Sequence, residues 1–239
     1  MTGEQEQAIR RRQMASFGRL LADFSHEMRN HLAVIQEANG LLEDLLAMEE
    51  TEGSPLFSSL GDTAAQIGQR VRRSAELCQH LSGMAHRSDT PLSSFSVNEL
   101  LAELVVFLER SARSRQVVLQ LEPGQGIDSI YNEPALLQHV LYQLYIFSLE
   151  LLRTGQTLVI STAISTSQAK EGVAISFYLA GVPKMELDLT ELSATMSAAL
   201  ASLGAKLEEP EKPEKPEKTG AGAADFSGFS LLVPSLPVA

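Results

Sequence analysis

Of the side chains able to act near neutral pH, His26 has the richest polar surroundings. The stretch Phe24-Ser25-His26-Glu27-Met28-Arg29-Asn30-His31 places a glutamate directly after it and an asparagine four positions on. A neutral imidazole can attack an electrophile or exchange a proton at physiological pH. Four residues is about one helical turn, so on a helix His26 and Asn30 share one side. The alternative is an ordinary solvated histidine. His80, His86 and His139 form no metal-like cluster with carboxylates or cysteine, and no metal site is expected. No P-loop, nucleophile elbow or zinc motif occurs. Cys78 is the single cysteine, which excludes an internal disulfide, and it is expected to be a small core residue.

The element that carries His26 is a long helix. From about Glu4 to Met48 there is no proline, and Met14, Phe17, Leu21, Phe24, Met28, Ile35, Ala38, Leu42 and Leu45 recur at spacings of three and four. Glu49-Glu50-Thr51-Glu52-Gly53-Ser54-Pro55 breaks the pattern. A second seam follows at Leu60, Ala64, Ile67, Val71, Ser74, Cys78, Leu81 and Ala85. These are the two arms of an antiparallel helical hairpin. One hairpin cannot cover both seams, so two chains are expected to pair as a four-helix bundle and the protein to be a homodimer. With Met28 at heptad position a, His26 falls at f, Glu27 at g and Asn30 at c, while His31 falls at d on the seam. His26 is therefore predicted to face solvent, and His31 to be a hydrogen-bonded core or boundary histidine.

After Ser88-Asp89-Thr90-Pro91 the pattern changes. Ser96 to Arg115 reads as a helix, with Ser96 as N-cap and Glu99 completing a capping box. Segments 117–122, 127–131, 157–165 and 173–180 read as strands, the last two as a hairpin. Glu133–Arg153 and Thr190–Leu203 read as helices, the second ending at Gly204. Residues 208–223 form a charged, proline-rich and glycine-rich loop, and Phe229–Val233 a last strand. The predicted class is α+β: residues 1–90 as a helical hairpin, and 91–239 as an α/β sandwich with helices on one face of a mixed sheet.

Composition narrows the function classes. The 239 residues carry a formal net charge of −11, and Arg10-Arg11-Arg12 is the only run of three consecutive basic residues. Phosphate backbones select basic surfaces, so nucleic acid is not an expected partner. No apolar run approaches the roughly 18 residues of a membrane span, and the N-terminus lacks a signal-peptide core. The cytoplasm is the expected compartment. The Met1 start and the final strand favour a whole chain over a piece of a larger sensor.

Phe24-Ser25-His26-Glu27-Met28-Arg29-Asn30 resembles the phosphoacceptor box of the bacterial two-component histidine kinases, His-Glu-x-x-Asn or Thr on the first helix of a dimerisation hairpin. The resemblance implies that His26 is phosphorylated. It also implies that Glu27 assists as base, and that Asn30 positions water or the receiver for dephosphorylation. The proline usual after the asparagine is replaced by His31, so a proline bend is not expected. Residues 95–235 resemble the family's GHKL-type ATPase domain. Phe95-Ser96-Val97-Asn98-Glu99-Leu100-Leu101-Ala102-Glu103-Leu104 resembles its opening helix, and residues 131–148 resemble its asparagine-box segment.

There the likeness breaks down. Gln143 takes the place of the first asparagine, Phe147 that of the magnesium-binding asparagine, and Ser148 that of the alanine after it. Leu179 stands where an aspartate reads adenine, and of that box only Gly181 is kept. Between Pro183 and the helix near Leu192 there is no room for the usual ATP lid, and Leu192–Ser197 replaces the glycine-rich turn. A triphosphate needs magnesium and several donors to offset its charge. The domain is therefore read as degenerate, a pseudokinase without cofactor. The function implied is a histidine phosphotransferase that relays phosphoryl groups between response-regulator receiver aspartates. Magnesium is then expected only on the receiver, and an upstream hybrid histidine kinase is a candidate donor. Arg29, Gln36 and Glu37 are candidate receiver contacts. A receiver phosphatase or regulator, and a non-catalytic dimeric scaffold, are the alternatives.

Overall fold

The computed structural model of the chain describes residues 3–47, 55–165, 172–182, 194–210 and 226–237. The chain divides into two compact units, one made of Met1–Gly18 with Met84–Ala239, the other of Arg19–Gly83. The predicted break at 49–54, the polar turn at 166–171, the lid position at 183–192 and most of the 208–223 loop lie outside the described residues.

The long helix is present as α1 (Gly3–Ala47), and α2 runs from Pro55 to His86. Pro55 opens α2, where its missing N–H costs nothing. His31 Nδ1 lies 3.0 Å from Ser74 Oγ. His31 is 16 residues before the end of α1 and Ser74 is 19 residues after the start of α2, so the contact is level and the arms antiparallel.

The heptad pattern splits into two rows. On α1, His31 and Ala38 at d are buried, and Phe24 is half-buried. Leu21 at a is 41 % exposed, and Leu32 and Leu41 are exposed as well. On α2 the covered row is Thr63, Ser74, Leu77, Leu81 and Met84, whereas Ala64, Val71, Cys78 and Ala85 are exposed. Cys78, expected in the core, is exposed in the single chain. Two arms can cover only the narrow strip between them, and the row seven residues apart through Cys78 lies beside that strip. The first turns of α1 also depart from the predicted seam. Met14 is exposed, while Ile9 and Ser16 are buried, because these turns belong to the sheet-containing unit and pack a different side within it.

That unit begins with β1 (Ser93–Phe95), which pairs with β3 (Ile130–Asn132) as a small antiparallel ribbon. Helix α3 (Val97–Ser114) is capped as expected, Ser96 Oγ accepting from Glu99 N at 3.3 Å. The main sheet has the order β2-β4-β5-β7-β6, with β2 at Val118–Glu122, β4 at Thr157–Ser165, β5 at Gly172–Ala180, β6 at Lys206–Glu208 and β7 at Phe226–Pro234. β2 and β4 run parallel, so the chain must cross over between them, and α4 (Pro134–Leu151) makes that crossing. The other pairings are antiparallel. Helix α5 (Ala194–Leu203) ends at Gly204, whose φ of +63° suits glycine. The class is α+β, a helical N-terminal region followed by a mixed-sheet domain. Strands β1 and β6, three residues each, were not predicted.

One face of the sheet carries Leu158, Ile160, Ile175, Phe177, Leu179, Phe229 and Leu231, none more than 1 % exposed. Register places Ile160 beside Phe177 and Phe177 beside Phe229. The tight spacing of β5 and β7 needs a glycine at 228, since a Cβ there would meet Phe177 O at 2.4 Å. Asn132 is fully buried and ties three segments together. Its Nδ2 donates to Leu203 O (3.1 Å) and Pro234 O (2.9 Å), and its Oδ1 accepts from Glu133 N (2.8 Å). Asn132→Ala strands all three groups in an apolar setting. It should cost about 3 kcal/mol, measured as a lower denaturant midpoint in chemical unfolding.

Candidate functional site

His26 lies mid-helix on α1 and is exposed, as its f position predicts. Arg29 and Asn30 are exposed beside it, and Glu27 is half-buried at the edge of the seam. Gln36 and Glu37 are exposed further along α1. Arg29 Nη2 sits 3.4 Å from His26 Nδ1, and its Nε donates to Ser25 O at 3.3 Å. A guanidinium can only donate, so Nδ1 is the accepting nitrogen in this arrangement and a neutral ring keeps its proton on Nε2. Attack through Nε2 requires the opposite tautomer, hence release of the Arg29 contact.

Behind this surface His31 is buried. The Ser74 hydroxyl donates to Arg70 O at 2.9 Å, so it accepts from His31 Nδ1. The other ring nitrogen, Nε2, lies 4.0 Å from Glu27 Oε2. Burial lowers the His31 pKa, Glu27 opposes the shift, and Arg70 and Arg73 add to it.

The positions matched to nucleotide ligands lie elsewhere, in the sheet-containing unit. Phe147 packs its ring against Phe229 (centroids 6.0 Å apart), which in turn stacks on Phe177 (5.0 Å). Leu179 is fully buried on the apolar face of the sheet, and Ser148 is buried with its hydroxyl donating to Leu144 O. Gly181 keeps a positive φ of +81°, and its carbonyl accepts from the Gln156 side chain. Gln143 Nε2 donates to Ser16 Oγ (3.0 Å), which stands 3.1 Å from His139 Nδ1. The first turns of α1 therefore close against α4 through a relay of three side chains. Ser16 was not a predicted site residue, because nothing local in the sequence marks a pairing across 123 positions.

No family model matches the sequence, and no curated protein matches it. Among solved structures the chain is similar to histidine kinases. One is the Acinetobacter baumannii histidine kinase AdeS, at 15 % identity and a TM-score of 0.46, covering 89 % of this chain and 98 % of that one. Another is a histidine kinase from Burkholderia phymatum, at 12 % identity and a TM-score of 0.43, covering 90 % and 98 %. A third is the histidine kinase ThkA in complex with the response regulator protein TrrA, at 17 % identity and a TM-score of 0.46, covering 98 % and 66 %.

Burial, with a smaller push from Arg12, holds His139 at a pKa of about 4, against an ordinary 6.5. Between those values the unfolded chain binds a proton that the folded chain does not. Stability conferred by the neutral ring is therefore complete above about pH 6.5 and is lost as the pH falls toward about 4. Thermal melts across that window should show the loss, and His139→Gln should flatten it.

Proposed function

We propose that this chain is a histidine phosphotransferase working without ATP. A ring nitrogen of His26 attacks the phosphorus of an aspartyl phosphate on a receiver domain. The P–O bond to the aspartate breaks and its electron pair stays on the carboxylate. The proton on the other ring nitrogen passes to Glu27. In the second half a different receiver's aspartate attacks the phosphorus, the N–P bond breaks, and the proton returns to the ring. A phosphoramidate remains reactive enough for this second step. The single observation that supports the reading is His26 itself, a mid-helix imidazole held in solvent with Glu27, Arg29 and Asn30 around it, while its neighbour His31 is turned inward. Against ATP as donor stand Phe147 and Leu179, both committed to apolar packing where the family pattern has a metal ligand and an adenine acceptor. Magnesium belongs to the receiver in this scheme, and a hybrid histidine kinase upstream would load it.

The test is incubation with phosphorylated receiver domains and detection of acid-labile phosphate on the chain. His26→Ala should abolish it and leave the fold unchanged, since an exposed f position contributes little to packing. Asn30→Ala should still accept phosphate but slow its loss from the receiver. A His26→Ala chain that still accepts phosphate rules out phosphotransfer. If the wild type accepts none but speeds receiver dephosphorylation in an Asn30-dependent way, the phosphatase reading replaces it.

Exposed apolar side chains on both arms of the hairpin support a homodimer as the working form. Leu21 and Leu32 share one side of α1, and with Val71 of α2 they are all at least 41 % exposed in the single chain, on arms whose periodicity calls for a second covered strip. A bundle of this kind buries roughly 1,600 Å² or more. Light scattering should report a dimer at micromolar concentration, and Ile35→Arg, by placing a charge at position a, should yield monomers.

A further inference from the structure

Where the phosphoacceptor motif has its usual proline, this chain has His31, and its two ring nitrogens face two different groups. Nδ1 donates to Ser74 on α2 at 3.0 Å, because the serine's own proton is committed to Arg70 O. Nε2 is left facing the Glu27 carboxylate at 4.0 Å. His31 is 5 % exposed, so little water reaches its ring, while the Glu27 carboxylate opposite is half-buried. With Nδ1 occupied as a donor, Nε2 can present only a lone pair when the ring is neutral, and only an N–H when it is charged.

These two states act oppositely on the carboxylate. A lone pair aimed at Glu27 repels it and favours its outward rotamers, on the side of the helix where His26 is exposed. An N–H⁺ attracts it inward as an ion-pair partner. We propose that His31 is a positioning residue whose proton sets where Glu27 sits: neutral, it leaves the carboxylate to His26; protonated, it withdraws it. The idea rests on the phosphotransfer reading for its consequence, though not for its geometry. The charged groups facing the ring are Glu27 from α1 and Arg70 and Arg73 from α2. Glu27 favours the proton, whereas burial and the two arginines oppose it, which keeps the neutral state in force at neutral pH.

Two measurements on the full chain decide this. The first is a histidine NMR titration of wild type and Glu27→Gln. Removing the carboxylate should lower the His31 midpoint, and an unchanged midpoint would sink the pairing. The second is the pH profile of phosphoryl acceptance from a phosphorylated receiver, in wild type and His31→Asn. The asparagine amide can keep the bond to Ser74 but cannot titrate. The wild-type acid limb should be steeper than the variant's by up to about tenfold per pH unit, the dependence that one further proton brings. A folded variant with the wild-type slope overturns the positioning role, since mere packing does not change the number of titrating groups. If the wild type accepts no phosphoryl group at all, phosphotransfer fails and the role of His31 in it fails too, while the NMR titration still decides whether the two side chains are coupled.

Discussion

The rotational phase of α1 governs the hairpin. His31 and Ala38 are buried and His31 is bonded to Ser74 of α2. Successive residues on a helix are turned by about 100°, so this one choice sets every other direction. It puts His26 in solvent, Glu27 at the boundary and His31 inside. A shift of one position would bury the charged Glu27 or Arg29 or expose the apolar seam, and either costs more than a marginally stable hairpin can spare. The chemistry of the site therefore depends on packing made by residues that take no part in it.

The same economy explains the sheet-containing unit. Its apolar face is continuous from Leu158 through Leu179 to Phe229, and Phe147 seals the α4 side. Each aromatic contact in the Phe147–Phe229–Phe177 series adds about 0.5–1.5 kcal/mol beyond its area burial. A carboxylate at 179 would have to be desolvated inside that face. Gln143 keeps a polar role, but it spends it on Ser16 and His139 within the chain.

Much of this architecture is legible in the sequence because it rests on local periodicity. The α1 heptads, the Ser96 cap, the β4–β5 hairpin and the Gly204 stop all follow from spacing or turn chemistry. What was not legible depends on long-range choices. Periodicity marks both rows of α2 as a seam without saying which row the first arm covers, and in the single chain the row through Val71 and Cys78 is the exposed one. Strands β1 and β6 are too short to show alternation. The exposure of His26 came from phase alone, whereas the Ser16–His139–Gln143 relay joins residues that no local pattern connects. Glu27 was seen as a neighbour of His26, but its second neighbour, His31, emerges only when the ring's two nitrogens are followed to their partners.

The most direct measurement is a side-by-side labelling of the wild-type chain, with radiolabelled ATP and magnesium in one arm and a radiolabelled phosphorylated receiver in the other, each followed by acid treatment. Label arriving from the receiver alone, lost in acid and absent from His26→Ala, is the expected result. Label arriving from ATP without a receiver, or from neither donor across the candidate receivers, would contradict a phosphotransferase that works through His26 without a nucleotide site.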